Sequence, residues 1–371
     1  MKYLNNIFGK KSCYGEPVKT PAERVTSYIS HWHQQWSKAE IKSKQEEDNG
    51  EGFDFGYWHD LLSDVNKAHF AEGSTSGSEN VFGSTPEHDP DNEKIIECEI
   101  EGDLAHVFTA LYEDKPKPSK YHAYELHSDA DKGWKIKQIL TLFDPPKTPV
   151  IAPEQHAEIL AMASVDAPFK ASEDNLALNE HTLFQQDRRV KTPYLDEAEA
   201  KLEEVGKLKI TSGVLGILDF GYDIYRFEPL QRKVKPGSYL VETVTTHNRV
   251  AGIRVKLSDS EQAVKWYAAN TPSGNGVYGV DAGNLAIFDV GNLLELSHLK
   301  KEKLFDRWSV AGKPELLSMT GQDDCVISTS GFGDGAYPAF WGVNDQDEVV
   351  SLYIDFMILV QENEQGLLES I

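Results

Sequence analysis

The apolar residues of this chain change period near residue 93, and that change fixes its fold class. In PAERVTSYISHWHQQWSKAEIKSKQ, Val25, Tyr28, Ile29, Trp32, Trp36 and Ala39 recur at three- and four-residue spacing, which lines one face of a long helix. Pro21 after Thr20 suits a helix start, and EEDNGEG ends the run. GYWHDLLSDVNKAHF then places Trp58, Leu61, Leu62 and Val65 on a shorter helix. After a polar loop, EGSTSGSENVFGSTPEHDPDNE, the period becomes two. EKIIECEIEGD, LAHVFTALYED, KYHAYELHSD and GWKIKQILTLF read as four strands with short links. Helices followed by an antiparallel meander predict an α+β unit, with the helices on one face of a curved sheet.

DPPKTPVIAP carries four prolines in ten residues and reads as a stiff boundary. A chain of 371 residues is long enough for two cores. The expected organisation is an N-terminal extension over 1–20, the α+β domain over 21–147, a proline-rich linker and helix over 148–170, and a mainly β domain over 171–371. The stretch from Glu154 to Val205 reads as a polar helical lead-in, with TPYLDEAEAKLEEVG as a capped helix. From Leu208 onward, eight short apolar runs separated by Gly and Asp turns read as strands.

The formal charge is −23, spread along the chain. Such a surface repels nucleic acid and anionic membranes and favours encounter with basic partners. Cys13, Cys98 and Cys325 lie far apart with no C-x-x-C pair, so neither a zinc-finger spacing nor a disulfide framework is present. No run has the length of a membrane span or the core of a signal peptide. A cytoplasmic protein is expected.

Two resemblances add to this reading. The long helix, GDLAHVFTALYE and KYHAYELHSDADKGWKIKQIL make residues 20–145 similar to the nuclear transport factor 2-like superfamily. That resemblance implies a cone of helices over a curved sheet. The superfamily includes enzymes, transport factors and toxin-immunity proteins, so it leaves function open. KLKITSGVLGILD, VKPGSYLVET, VYGVDAGNLAIFD and CVISTSGFGDGAYPAFWGVNDQDEVVSLYIDF resemble a bacterial family known as domain of unknown function 4241, over most of residues 170–360. The family pattern has Asp-Pro after the early strand, whereas here Phe220 follows Asp219. The resemblance implies no catalytic chemistry, and it points towards immunity proteins kept against polymorphic toxins.

Several segments invite a chemical role. SGFGDGAYPAFWG fails as a dinucleotide fingerprint, because Ala336 takes the place of the last glycine and strand alternation at Tyr337, Ala339 and Trp341 replaces a helix. It reads as a tight turn entering a strand, with Asp334 bonding nearby amides. Asp281, Asp289, Asp334 and Asp355 are the residues from which an acidic metal cluster would have to be built. NDQDE reads as a hairpin turn rather than a calcium loop, lacking the glycine and the spaced glutamate. His31 and His33 point about 200° apart on a helix and cannot share an ion. His122 and His127 fall on opposite faces of a strand and read as surface or partly buried residues. Asp103, in a turn, and His106 are weak candidates for acid–base work.

No catalytic residue, metal ligand or cofactor is therefore assigned. The expected function is a non-enzymatic binding protein, an immunity protein occluding a cognate protein toxin through its acidic surface, a basic nuclease domain being the partner that best fits the charge. The expected partner-binding residues are Glu46, Glu47, Asp48, Asp196, Glu197, Glu199, Asp334 and Tyr337. The alternative is a small-molecule-binding or hydrolytic enzyme using the cone pocket or the Asp281 and Asp334 loops.

Overall fold

A computed structural model describes residues 20–50, 52–74, 82–113, 116–129, 133–173, 175–186, 188–193, 195–222, 224 and 226–371. Except for Thr20, the N-terminal extension lies outside them. The chain divides into two compact units, Met1–Lys147 and Thr148–Ile371. The architecture is α+β: helices first, then largely antiparallel sheets.

In the first unit, α1 (Pro21–Asp48) starts at a reciprocal cap, in which Glu23 N donates to the Thr20 hydroxyl and Thr20 N donates to the Glu23 carboxylate. The second helix, α2 (Phe55–His69), is capped by Asp54. Strands β1 (Glu93–Glu101), β2 (Leu104–Leu111), β3 (Lys120–Asp129) and β4 (Gly133–Leu142) form an antiparallel sheet in chain order. The apolar stripe of α1 and the inner face of α2 pack on Ala105, Val107, Tyr124, Leu126, Trp134 and Ile136, which alternate along the strands as period two requires. Buried Arg24 fastens α1 to the sheet, its Nε donating to the Trp134 carbonyl at 2.6 Å.

In the second unit, the larger sheet runs Lys265–Ala268, Gly335–Val343, Val349–Asp355, Arg249–Lys256, Gly237–Thr246, Ala198–Ile210 and Arg188–Val190, and Val277–Val280 also pairs with Gly335–Val343. A smaller sheet runs Glu315–Leu317, Cys325–Thr329, Asn284–Asp289 and Leu215–Leu218. The two sheets share one core, to which Ile253, Trp341 and Ile354 come from the first and Ile217, Ile287 and Val326 from the second. Outside the smaller sheet, Leu304 and Trp308 of the helix His298–Ala311 close another core. Outside the larger sheet, Leu183, Phe184 and Leu359 cover Phe340 and Tyr353. The inner strands are therefore buried on both faces, which explains continuous apolar runs such as AFWGV.

Two expectations change here. TPYLDEAEAKLEEVG is not a helix, because Ala198–Ile210 is a strand paired with Gly237–Thr246. Helix-forming Glu, Ala and Lys yield to pairing along thirteen residues. The helix His298–Ala311, capped by Ser297 and ended by left-handed Gly312, interrupts what reads as an all-strand region. Thr20→Ala should cost about 1 kcal/mol of stability in the first unit, while Thr20→Ser should cost little. Urea unfolding followed by tryptophan fluorescence tests this, and equal loss by both variants would refute the capping role.

Candidate functional site

The chemically richest site lies inside the first unit, around a carboxylate that sequence reading passed over. Glu93 opens β1 and is buried, whereas the rest of that strand is exposed. Its Oε1 accepts from Thr109 Oγ1 at 2.5 Å, His122 Nδ1 at 2.8 Å and Tyr124 OH at 2.9 Å. Its Oε2 lies 3.0 Å from His88 Nδ1. The far nitrogens of both histidines are also engaged. His122 Nε2 lies 3.2 Å from Glu87 Oε1, and His88 Nε2 lies 3.4 Å from the Tyr28 hydroxyl. Glu87 in turn accepts from Lys120 Nζ at 2.5 Å and Thr141 Oγ1 at 3.2 Å.

Local sequence explains the placement. His88 sits in the polar stretch between α2 and β1, and α1 clamps that stretch. Trp36 Nε1 donates to the Gly83 carbonyl at 3.1 Å and His33 Nδ1 to the His88 carbonyl at 2.9 Å, while the Trp32 and His88 rings meet edge-on. His122 and Tyr124 share the inner face of β3 by period-two alternation. His122 is fully buried, which corrects its reading as a surface or partly buried residue. His127, of the opposite parity, is exposed.

The protonation states follow from burial against charge. Burial opposes ionisation of Glu93, but the imidazoles of His88 and His122 outweigh it and hold its carboxyl well below the usual range. Burial works against the charged form of His122 too, yet Glu93 and Glu87 push it up to about 9. Burial dominates at His88 and lowers it. Glu87, despite burial, is lowered to about 2 by hydrogen bonds from His122 and Lys120. Burial, then Glu93, raises Tyr124 well above its ordinary value. A second buried group adjoins α2. His31 Nδ1 lies 3.1 Å from His69 Nε2, and burial followed by the Arg24 charge lowers His69 to about 3.

The residues expected from sequence are scattered. Glu46 holds the chain beyond α1, pairing with Lys42 and accepting from Asp54 N at 3.1 Å, while Glu47 and Asp48 are exposed beside it. Asp196, Glu197 and Glu199 are exposed near the strand Ala198–Ile210 rather than on a helix, with Glu197 paired to Arg189 and Glu199 to Lys201. The Gly331–Gly335 loop is a turn entering a strand. Gly331 has φ +56°, and a Cβ there would meet Phe356 Cβ at 2.8 Å. Hydroxyls close the turn, Ser330 Oγ and Tyr337 OH both donating to the Gly333 carbonyl, while Asp334 is exposed. Tyr337 is only 5% exposed and cannot anchor a partner, whereas Phe332 at the tip is 53% exposed. NDQDE is a hairpin turn, with Asn344 Oδ1 accepting from Gln346 N and Glu348 N. His106 lies 3.6 Å from Glu125 on the sheet face opposite the helices.

The four aspartates do not gather. Asp289 accepts from Thr211 N and Ser212 N, and Asp355 from Met357 N, while Asp281 borders an open cavity of about 640 Å³ with Asp219 and Tyr222. Among the described residues, His88, Glu93 and His122 are the group of histidines and acids whose ligand atoms lie close enough for one ion. The Asp219-Phe220 departure is accommodated directly. Phe220 N donates to Asn284 Oδ1 at 3.0 Å, a bond that proline cannot make.

Residues 208–354, wholly within the second unit, match the family described as Protein of unknown function (DUF4241). No curated protein and no solved structure matches the chain. Among the described residues, no helix is long and apolar enough to cross a membrane.

Two measurements follow. Glu93→Gln leaves buried imidazoles facing a neutral amide and should cost about 3–5 kcal/mol, read by urea unfolding. A loss near zero would show that the cluster carries no stability. Burial raises Asp355 from 3.8 to about 7. The folded state therefore holds this proton more tightly than the unfolded one, and stability falls as pH rises from about 4 through about 7. Asp355→Asn should gain on the parent over that window by roughly 4 kcal/mol at most. A stability difference constant with pH would refute this.

Proposed function

We propose that the protein is a non-enzymatic inhibitor of a basic protein partner, a bacterial immunity protein that occludes a cognate polymorphic toxin. The likeness of its first unit to nuclear transport factor 2-like immunity proteins belongs to this reading. The observation that carries it is β1. This nine-residue strand lies at a sheet edge and is exposed beyond Glu93. Edge strands usually avoid exposed apolar side chains. Here Ile96 and Ile100 are 49% and 55% exposed and are interleaved with Glu97, Glu99 and Glu101. An apolar strip rimmed by acid suits a partner whose apolar contact is framed by Lys and Arg. Main-chain pairing on a free edge supplies one way of docking.

The end of α1 adds to the acidic field. Glu46, Glu47 and Asp48 occupy its last turn, with no base. Acid at a helix C-terminus opposes the helix dipole by about 0.3–1 kcal/mol per group. Such a placement is expected where charge serves an encounter rather than stability. Sheltering of a basic nuclease cleft would be direct and salt-sensitive.

Each neighbouring toxin-like gene can be expressed with and without this protein, followed by capture at low and high salt. Rescue with salt-sensitive binding is expected. The double variant Ile96→Lys, Ile100→Lys should weaken binding at least about tenfold with an unchanged melting temperature. Absence of both rescue and binding for every neighbour would sink the proposal and favour a small-molecule or hydrolytic role.

A further inference from the structure

We propose that His88, Glu93 and His122 bind one divalent transition-metal ion of the zinc class, with the Tyr124 oxygen as the fourth donor. The ligands come from the segment before β1, the start of β1 and the inner face of β3, so the ion would tie an irregular segment to the sheet. Two imidazoles and a carboxylate are donors that zinc accepts, and the Tyr124 hydroxyl, 3.2 Å from His88 Nδ1, stands next to them.

Two features of the geometry suit an ion. The first is convergence. His88 Nδ1 lies 3.0 Å from Glu93 Oε2 and 3.2 Å from the Tyr124 oxygen, and His122 Nδ1 lies 2.8 Å from Glu93 Oε1. A tetrahedral ion with bonds of about 2.0–2.1 Å separates its donors by about 3.3 Å. These three separations fall short of that spacing by about 0.1–0.5 Å, and the ligand atoms of His88, Glu93 and His122 all lie within 4.8 Å of one another. The second feature is the orientation of the rings. Both histidines turn Nδ1 inward while Nε2 meets a partner outside the cluster, Glu87 for His122 and Tyr28 for His88. A metal-bound imidazole usually donates its other N–H to a carboxylate or similar acceptor, which fixes the tautomer. With hydrogen on each Nε2 and an ion in place of the Nδ1 protons, both Nδ1 lone pairs and the Glu93 carboxylate would face that ion.

The three ligand side chains have no solvent exposure, so the site belongs to the closed, structural kind rather than the open catalytic kind. Binding there is linked to folding, because the unfolded chain has no such site. The competing arrangement replaces the ion with protons on the two rings. Both describe the same residues and differ in what purified protein contains.

The test uses the full chain. After chelator treatment and dialysis against zinc, metal content is measured by elemental analysis, and melting is followed with and without chelator. A cobalt-loaded sample gives a visible spectrum that reports coordination. About one zinc per chain, a lower melting temperature in chelator and a tetrahedral cobalt spectrum are expected. His88→Ala removes a ligand from the irregular segment and should abolish stoichiometric binding while the far-ultraviolet spectrum is kept. Glu87→Gln acts through His122 and should weaken zinc affinity by about tenfold to a hundredfold with stoichiometry retained at saturation. Wild-type protein that takes up less than about a tenth of an equivalent and melts identically in zinc and chelator would establish protons as the occupants. Full zinc binding by His88→Ala and by His122→Ala would equally overturn the assignment.

Discussion

A carboxylate taken out of water must be met by donors, and that requirement organises both units of this acidic chain. Burial of an unpaired ion costs several kcal/mol, so each buried acid draws hydrogen-bond donors from wherever the fold can supply them. Glu93 draws Thr109 from β2, His122 and Tyr124 from β3, and His88 from the segment before β1. Asp219 accepts from Asp281 N and Ala282 N and from the Asn284 amide, joining the end of one strand to the turn before another. Asp324 gathers Met319 N, Thr320 N and the Thr320 hydroxyl. Glu180 receives Ser351 Oγ and lies 3.8 Å from Arg254, which also grips Glu242. Asp355 stands apart, because only one of its oxygens has a donor, and its carboxyl is correspondingly raised.

This use of acids separates those that build the molecule from those that face outward. The inward ones sit at junctions, where side chains close turns that backbone bonds leave open. Among the outward ones Glu46 still accepts from Asp54 N beyond α1, whereas Glu47, Asp48 and the acids of β1 after Glu93 are exposed. Glu97 and Glu99 share Lys147, and Glu46 shares Lys42, while Glu47, Asp48 and Glu101 are exposed, Glu101 next to the exposed Ile100. Exposed ion pairs of this type contribute little to stability. Their physical consequence is a field.

Much of the fold was legible because local signals agreed with tertiary demand. For α1, Thr20, Pro21, Glu23 and the apolar stripe all specify the same helix, and the period-two runs from Glu93 specify β1 to β4. Where signals conflicted, the reading failed. Residues 198–210 carry helix formers, yet Ala198, Ala200 and Leu202 alternate with Glu199, Lys201 and Glu203, and that alternation decides the strand. The helix His298–Ala311 had a readable cap at Ser297 and stop at Gly312, but its apolar face is sparse, with Leu304 and Trp308 buried among lysines. The closed cluster was harder to see. Its residues lie at positions 88, 93, 122 and 124, and no local motif links a histidine in a polar segment to a glutamate at a strand start. The parity of His122 with Tyr124 on β3 was the one signal that could have moved it inside.

The segment carrying His88 also explains why this part of the fold needs a polar centre. From Phe70 to Asn92 the sequence has few apolar side chains, so hydrophobic burial alone gives it little hold on the helices and sheet of the first unit. It is held instead at Gly83 by Trp36, at the His88 carbonyl by His33, and at the His88 ring by Tyr28 and Glu93. These polar contacts add to the packing of Phe70 and Phe82, the latter stacked on Phe53. Such an arrangement is specific, because each donor has one geometry in which it is satisfied, and a misplaced segment leaves several buried groups unpaired at once.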